Sequence, residues 1–139
     1  MPVSPWTTTL LSAACGLLAA NVYYAQPIAG PISIDLGLAP GAIGLIVTLT
    51  QIGYVVGLLL IGPLGDLVEN RRLLTLLTAL AGLALVSAAF STRPLQFFAS
   101  AFCVGLGSVA VQVILPYATH MVPEKVRGRF IGTISAVAW

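Results

Sequence analysis

Five stretches of this chain, residues 1–34, 36–65, 73–92, 94–123 and 130–139, contain no charged side chain. An α-helix rises 1.5 Å per residue, so residues 73–92 make a helix about 30 Å long, the thickness of one bilayer hydrocarbon core. The runs 1–34, 36–65 and 94–123 are longer and can cross with tilt and flanking turns. The last run, 130–139, reaches only about 15 Å as a helix, the start of a span. The remaining charge cannot solvate a globule. Charged residues are 7% of the chain and hydrophobic ones 58%, with a mean hydropathy of +1.03, whereas soluble domains carry about 25% charge. The chain therefore belongs in lipid, and the bilayer is its first partner.

The expected fold class is all-α integral membrane, with four complete transmembrane helices at 8–34, 41–65, 73–92 and 95–121 and a fifth starting near 128 within 128–139. Breakers support these boundaries. "PIAGP" at 27–31 loosens the end of the first helix, and "LGLAPG" at 36–41 opens the second, with Pro40 in a first-turn position. "STRP" at 91–94 makes a tight antiparallel connection, and "VPEK" at 122–125 ends the fourth helix. The start "MPVSPWTTTLL" lacks the basic residues of a cleavable signal, so the first run is expected to stay in the membrane. Cys15 and Cys103 fall inside apolar runs without His or acid clusters, which fits packing residues and no metal or cofactor site. The net charge of +2 forms no basic face for nucleic acid.

Positive residues set the orientation. Arg71 and Arg72 follow the second helix, and Lys125, Arg127 and Arg129 follow the fourth; the other side holds Arg93 alone. The positive-inside rule then puts the N-terminus and both basic connections in the cytoplasm, with a bacterial inner membrane as the default location. Four of the chain's charges crowd into "GPLGDLVENRRLL" at 62–74: Asp66, Glu69, Arg71 and Arg72. Asp66 ends the second helix, where the dipole disfavours an anion, and Arg71 begins the third, where it disfavours a cation. Two charges on opposed ends are expected to pair with each other or with another element, unless the stretch is only a solvated turn.

"GPLGDLVENRR" resembles the signature loop between helices two and three of the major facilitator superfamily, G-x-L-[AG]-D-[RK]-x-G-R-[RK]. Gly62, Leu64, Gly65, Asp66 and Arg71 fall on pattern positions, while Leu67, Glu69 and Asn70 depart from it. "NVYYAQP" at 21–27 looks like the first helix of the bacterial efflux-type branch, and "PEKVRGRFIG" at 123–132 resembles the family's 4–5 loop. The resemblance runs end to end and corresponds to the first third of a usual transporter of two six-helix halves, each built from 3+3 inverted repeats. It implies that residues 1–139 are a truncated N-terminal domain, inactive alone, whose missing C-terminal half is its natural partner. It also implies that Asp66 latches the two halves on the cytoplasmic side with Arg71 as its local partner, and that Gly62 and Gly65 permit close helix approach. Ala101 stands where proton-coupled antiporters of the family often carry an arginine four residues before a glycine, here Gly105, so coupling through a buried acid–arginine pair is not expected.

Polar residues at membrane depth are candidates for a substrate cavity, because hydrocarbon penalises them. Asn21 and Tyr24 share one face of helix one, and Tyr23 and Gln26 share another. Pro27 cannot donate to the Tyr23 carbonyl, and in helix four Pro116 likewise frees the carbonyl of Gln112, with Tyr117 following. Proline-interrupted helices in corresponding repeat positions point to a transporter's binding site. Asn21, Tyr24, Gln26, Gln112 and Tyr117 are therefore expected to line the cavity, joined by Gln51 and Tyr54 of helix two. The competing role for each is interhelical hydrogen bonding. Gly53 and Gly57 form a G-x-x-x-G suited to close packing, and His120 reads as an interfacial residue.

The expected function is alternating-access transport of a small molecule, of the efflux type. With no nucleophile–base set, metal cluster or phosphate loop, no enzyme chemistry is implied. Two other readings remain: a self-contained four-helix protein acting as a dimeric transporter, or an assembly subunit packing through Gly53/Gly57 and Ala101/Gly105. A small multidrug-type dimer needs a buried carboxylate in helix one, and residues 1–34 hold no acid.

Overall fold

The computed structural model describes residues 4–138. In chain order the helices are α1 (Pro5–Tyr23), α2 (Ala25–Asp35), a 3₁₀ turn (Pro40–Ala42), α3 (Ile43–Leu67), α4 (Asn70–Ala89), α5 (Pro94–Ser108), α6 (Ala110–Thr119) and α7 (Glu124–Ala138). Prolines sit in the first turn of α1, the 3₁₀ turn and α5, where a missing N–H leaves no helical bond unmade. After α2 the chain closes a Schellman turn. Leu38 N–H donates to the Ser33 carbonyl (2.8 Å) and Gly37 N–H to that of Ile34 (3.1 Å). Gly37 takes φ +62, a left-handed conformation that suits glycine.

Three stretches, Pro40–Leu67, Asn70–Ala89 and Pro94–Thr119, are long and apolar enough to cross a membrane. The first run is different. α1 and α2 meet at a 52° bend, so the expected continuous helix 8–34 is a broken pair, which makes a fourth span only if counted as one. The cause is chemical: Pro27 and Pro31 lack the N–H groups that would bond the carbonyls of Tyr23 and Pro27. The expectation of four complete helices thus becomes three continuous spans and one bent one. The last helix also starts earlier than expected, at Glu124. Pro123 stops the preceding turn and places Lys125, Arg127 and Arg129 on the first turns of α7.

α3 and α5 pack backbone to backbone. A methyl group on Gly53 would collide with the Phe102 carbonyl, and one on Gly105 with the Thr50 carbonyl; on Gly57 it would lie 2.6 Å from Val109 Cγ2. On the opposite flank of α5, a methyl on Gly107 would lie 2.8 Å from Ala81 Cβ of α4. The main core gathers Cys15 and Leu18 of α1, Leu77 of α4, Ala110 and Ile114 of α6, and Ile134 of α7. A second core joins Ala29 of α2, Ile46 of α3 and Phe97 of α5. Outward-facing leucines are bare, with Leu59 70% and Leu83 71% exposed. That arrangement suits helices whose outer faces meet an apolar surround.

Candidate substrate cavity and signature cleft

Gln51 and Tyr54 lie three residues apart and so share one face of α3. Close packing of α3 on α5 brings that face to Gln112 of α6. The Gln112 Nε2 donates a hydrogen bond of 3.0 Å to the Tyr54 hydroxyl. Gln51, Tyr54 and Gln112, with Tyr23 of α1 and Ser108, border a cavity of about 90 Å³. Ser108 is already spoken for, since its hydroxyl donates to the Val104 carbonyl at 2.7 Å. The cavity's free polarity therefore comes from amides and phenols, all neutral.

The turn that presents Gln112 is not where the proline is. α5 and α6 are separated at Val109, where Gln112 N–H bonds the Val109 carbonyl at 2.8 Å, three residues back. Pro116 lies inside α6. Gly105, Gly107 and the back-bonded Ser108 account for the break, because small residues and a serine bonded one turn back loosen a helix. The expected interruption at Pro116 is thus moved to Val109.

The expected cavity set is divided. Asn21 and Tyr24 face a second cavity, of about 300 Å³, with Thr50, Leu85 and Phe97. Gln26 is exposed and Tyr117 half-buried, and neither lines either cavity. The residue sequence reasoning missed is Tyr23, whose separate face on helix one was legible, but not the element it would meet.

Asp66, Gly62 and Gly65 border a cleft of about 210 Å³ between the end of α3 and α6, opposite Pro116 and His120, with Asn70 at the start of α4. Gln112 lines this cleft too, so its side chain stands between the cleft and the polar cavity. Leu64 is exposed. A methyl group on Gly62 or Gly65 would meet nothing within 4 Å. Among the described residues these glycines therefore meet no close neighbour, because at their level the helices diverge around the cleft.

The expected Asp66–Arg71 partnership is also corrected. Among the described residues the ion pairs are Arg72–Glu69 at 3.2 Å and Arg127–Glu124 at 4.0 Å. Asp66 rides on the last turn of α3 and faces α6. Arg71 sits on a different surface with Glu69, Arg72, Thr75 and Leu76. Val68 is extended and Glu69 takes φ −55 and ψ 116, and that short non-helical link turns the two charges apart. Glu69, one residue before α4, thus takes the place beside a cation that Asp66 was expected to fill.

The family model of the Major Facilitator Superfamily matches residues 10–139. The uncharacterized transporter YgaY of Escherichia coli O157:H7 is 39% identical over 133 residues, 95% of this chain and 34% of the relative. SCO4007 of Streptomyces coelicolor, also named as a transporter, is 32% identical over 127 residues, 91% of this chain and 30% of the relative. The chain thus spans about a third of the length of these relatives. No solved structure matches it.

Proposed function

The chain belongs to the major facilitator superfamily, and we propose that it supplies the first helices of a transporter that moves a small molecule by alternating access. The observation that carries this is the Gln112–Tyr54 hydrogen bond joining α6 to α3 on the wall of a polar cavity, within a chain matched to the family from residue 10 to its end. Gln51, Tyr54 and Gln112 bind the substrate in this account, with Tyr23 added. The substrate presents neutral hydrogen-bonding groups there, because among the described residues no charged one lines the cavity and an unpaired buried charge is costly. The chemistry is movement across a membrane, with no bond made or broken.

The finer assignments belong to the same proposal. The N-terminus and the basic residues around 71–72 and 125–129 face the cytoplasm of a bacterial inner membrane by charge asymmetry, and transport runs outward. Asp66 holds the two halves of the transporter together across the signature cleft, with Gly62, Leu64, Gly65 and Arg71 forming the loop that places it. Residues 1–139 alone insert without transporting, because alternating access needs a second half to rock against. A dimeric or assembly role is less well supported, since Gly53, Gly57 and Gly105 are used inside the bundle.

The test is solute accumulation in inverted membrane vesicles containing these residues joined to the remaining two thirds of YgaY, screened over a panel of neutral dyes and sugars. The expected result is gradient-driven uptake of at least one solute, cut about tenfold or more by Gln112→Ala. Uptake by residues 1–139 alone, or uptake indifferent to Gln51, Tyr54 and Gln112 substitutions, contradicts the proposal.

A further inference from the structure

Arg71, turned away from Asp66, is left without a carboxylate, since the ion pairs among the described residues are those of Arg72 with Glu69 and Arg127 with Glu124. Arg71 and Arg72 share a cavity of about 500 Å³ at the start of α4 with Glu69, Thr75 and Leu76. Glu69 answers one guanidinium, at 3.2 Å, so one positive charge in the cavity has no counter-charge. Thr75 is turned back on its own helix, where its hydroxyl donates to the Arg71 carbonyl at 2.9 Å. The cavity opens where α4 begins, and α4 is long and apolar enough to cross a membrane. Leu76, the apolar member of the cavity, is 67% exposed, and Leu83 is 71% exposed. Leu76 follows Arg72 by four residues and Leu83 follows Leu76 by seven, so the three lie along one stripe of the helix. From Arg72 to Leu83 that stripe rises about 16 Å, the depth of one leaflet of a hydrocarbon core roughly 30 Å thick.

We infer that this is a binding site for one anionic phospholipid, whose phosphate lies between the Arg71 and Arg72 guanidiniums while an acyl chain runs along the stripe over Leu76 and Leu83. Guanidinium forks match phosphate oxygens, two N–H donors at a time. The phosphodiester of phosphatidylglycerol carries the one negative charge that the cavity lacks. The choline of phosphatidylcholine returns a positive charge beside the uncompensated one, and a free phosphate leaves the apolar stripe unused. Lys125, Arg127 and Arg129 of α7 outnumber this pair, but there Arg127 has Glu124 beside it at 4.0 Å and its Nε is buried. Charge count therefore favours α7, whereas the cavity and the bare stripe favour α4. The site rests on neither the transport proposal nor the signature cleft.

The probes are phosphatidylglycerol and phosphatidylcholine, each with a diazirine on one acyl chain near the ester, photolysed at equal dose with the chain in phosphatidylcholine nanodiscs and mapped by mass spectrometry. Adducts at Leu76 should form about fivefold more with the glycerol lipid, the effect of one basic residue near an anionic surface. At Leu59, on α3, the two probes should label alike. Arg71→Gln should reduce the glycerol lipid's yield at Leu76 to that of the choline lipid, Lys125→Gln should leave it unchanged, and so should excess inorganic phosphate at constant ionic strength. Should Arg71→Gln not insert, the two probes on the unmodified chain, compared at Leu76 and Leu59, decide alone. Equal labelling by both lipids at Leu76 overturns the inference. So does a preference as large at Leu59, or equal losses in the two variants, since either marks a general attraction of charge. Displacement by inorganic phosphate overturns it in favour of a free-anion site.

Discussion

Gly53 and Gly105 stand where the backbone of one helix lies against that of the next, and a methyl group at either meets a carbonyl oxygen. Overpacking of this kind typically costs about 1–3 kcal/mol. Gly53→Ala and Gly105→Ala should each lower stability by that amount in detergent unfolding titrations. Gly62→Ala and Gly65→Ala, which meet open space, should shift it by less than about 0.5 kcal/mol. If all four behave alike, the α3–α5 contact is misplaced. The Tyr54–Gln112 bond is a smaller term: interhelical hydrogen bonds in membranes average about 0.6 kcal/mol in double-mutant cycles. A Tyr54→Phe, Gln112→Ala cycle should return a coupling near that value, and zero coupling would remove the bond. At this scale the G-x-x-x-G spacing of Gly53 and Gly57 was readable as a packing seam. The signature glycines were not readable in the same way, because spacing reports which residues share a face and not what that face meets.

Among elements, the first span is bent and the fourth, though continuous, carries a local break in its helical bonding at Val109, and the two have different causes. Pro27 and Pro31 withhold two donors from α2, and the bend there is 52°. Replacing both with Ala restores those donors, and spin labels at residues 10 and 34 should then move apart as the pair straightens; an unchanged distance would assign the bend to packing. In the fourth span Pro116→Ala should leave the break at Val109 in place, since Gly105, Gly107 and Ser108 cause it. Backbone amide exchange at Val109–Gln112 that slows on this substitution would contradict that assignment. That the chain is all-helical, with long apolar helices in its second, third and fourth runs, follows from the charge-free stretches and was legible in the residues, whereas the first run, read as one helix, is a bent pair. The Val109 break was hidden because small residues loosen a helix only where a neighbour presses on it, and the neighbours are a tertiary fact. The separation of Asp66 from Arg71 was hidden for a related reason: dipole arguments say a charge needs a partner, and the turn geometry chooses which.

For the whole molecule, the polar residues were identifiable one by one, but their grouping was not. Asn21 and Tyr24 share a helical face, and so did Gln51 and Tyr54. Which face met which was set by the glycine contacts that seat α3 on α5 and by the bend that redirects α2. The result, among the described residues, is a bundle with bare leucines outside, a neutral polar cavity, and a cleft at the signature end separated from it by Gln112. That arrangement is the central claim, and it can be tested without knowing the substrate. Single cysteines introduced at Gln51, Tyr54 and Gln112, and at Leu59 and Leu83, in a background lacking Cys15 and Cys103, are exposed to a membrane-impermeant charged thiol reagent in nanodiscs. Cavity positions should react at least about tenfold faster than the two leucine positions, because thiolate chemistry needs water. Equal protection at all five would place Gln51, Tyr54 and Gln112 in lipid or dry packing and contradict the cavity.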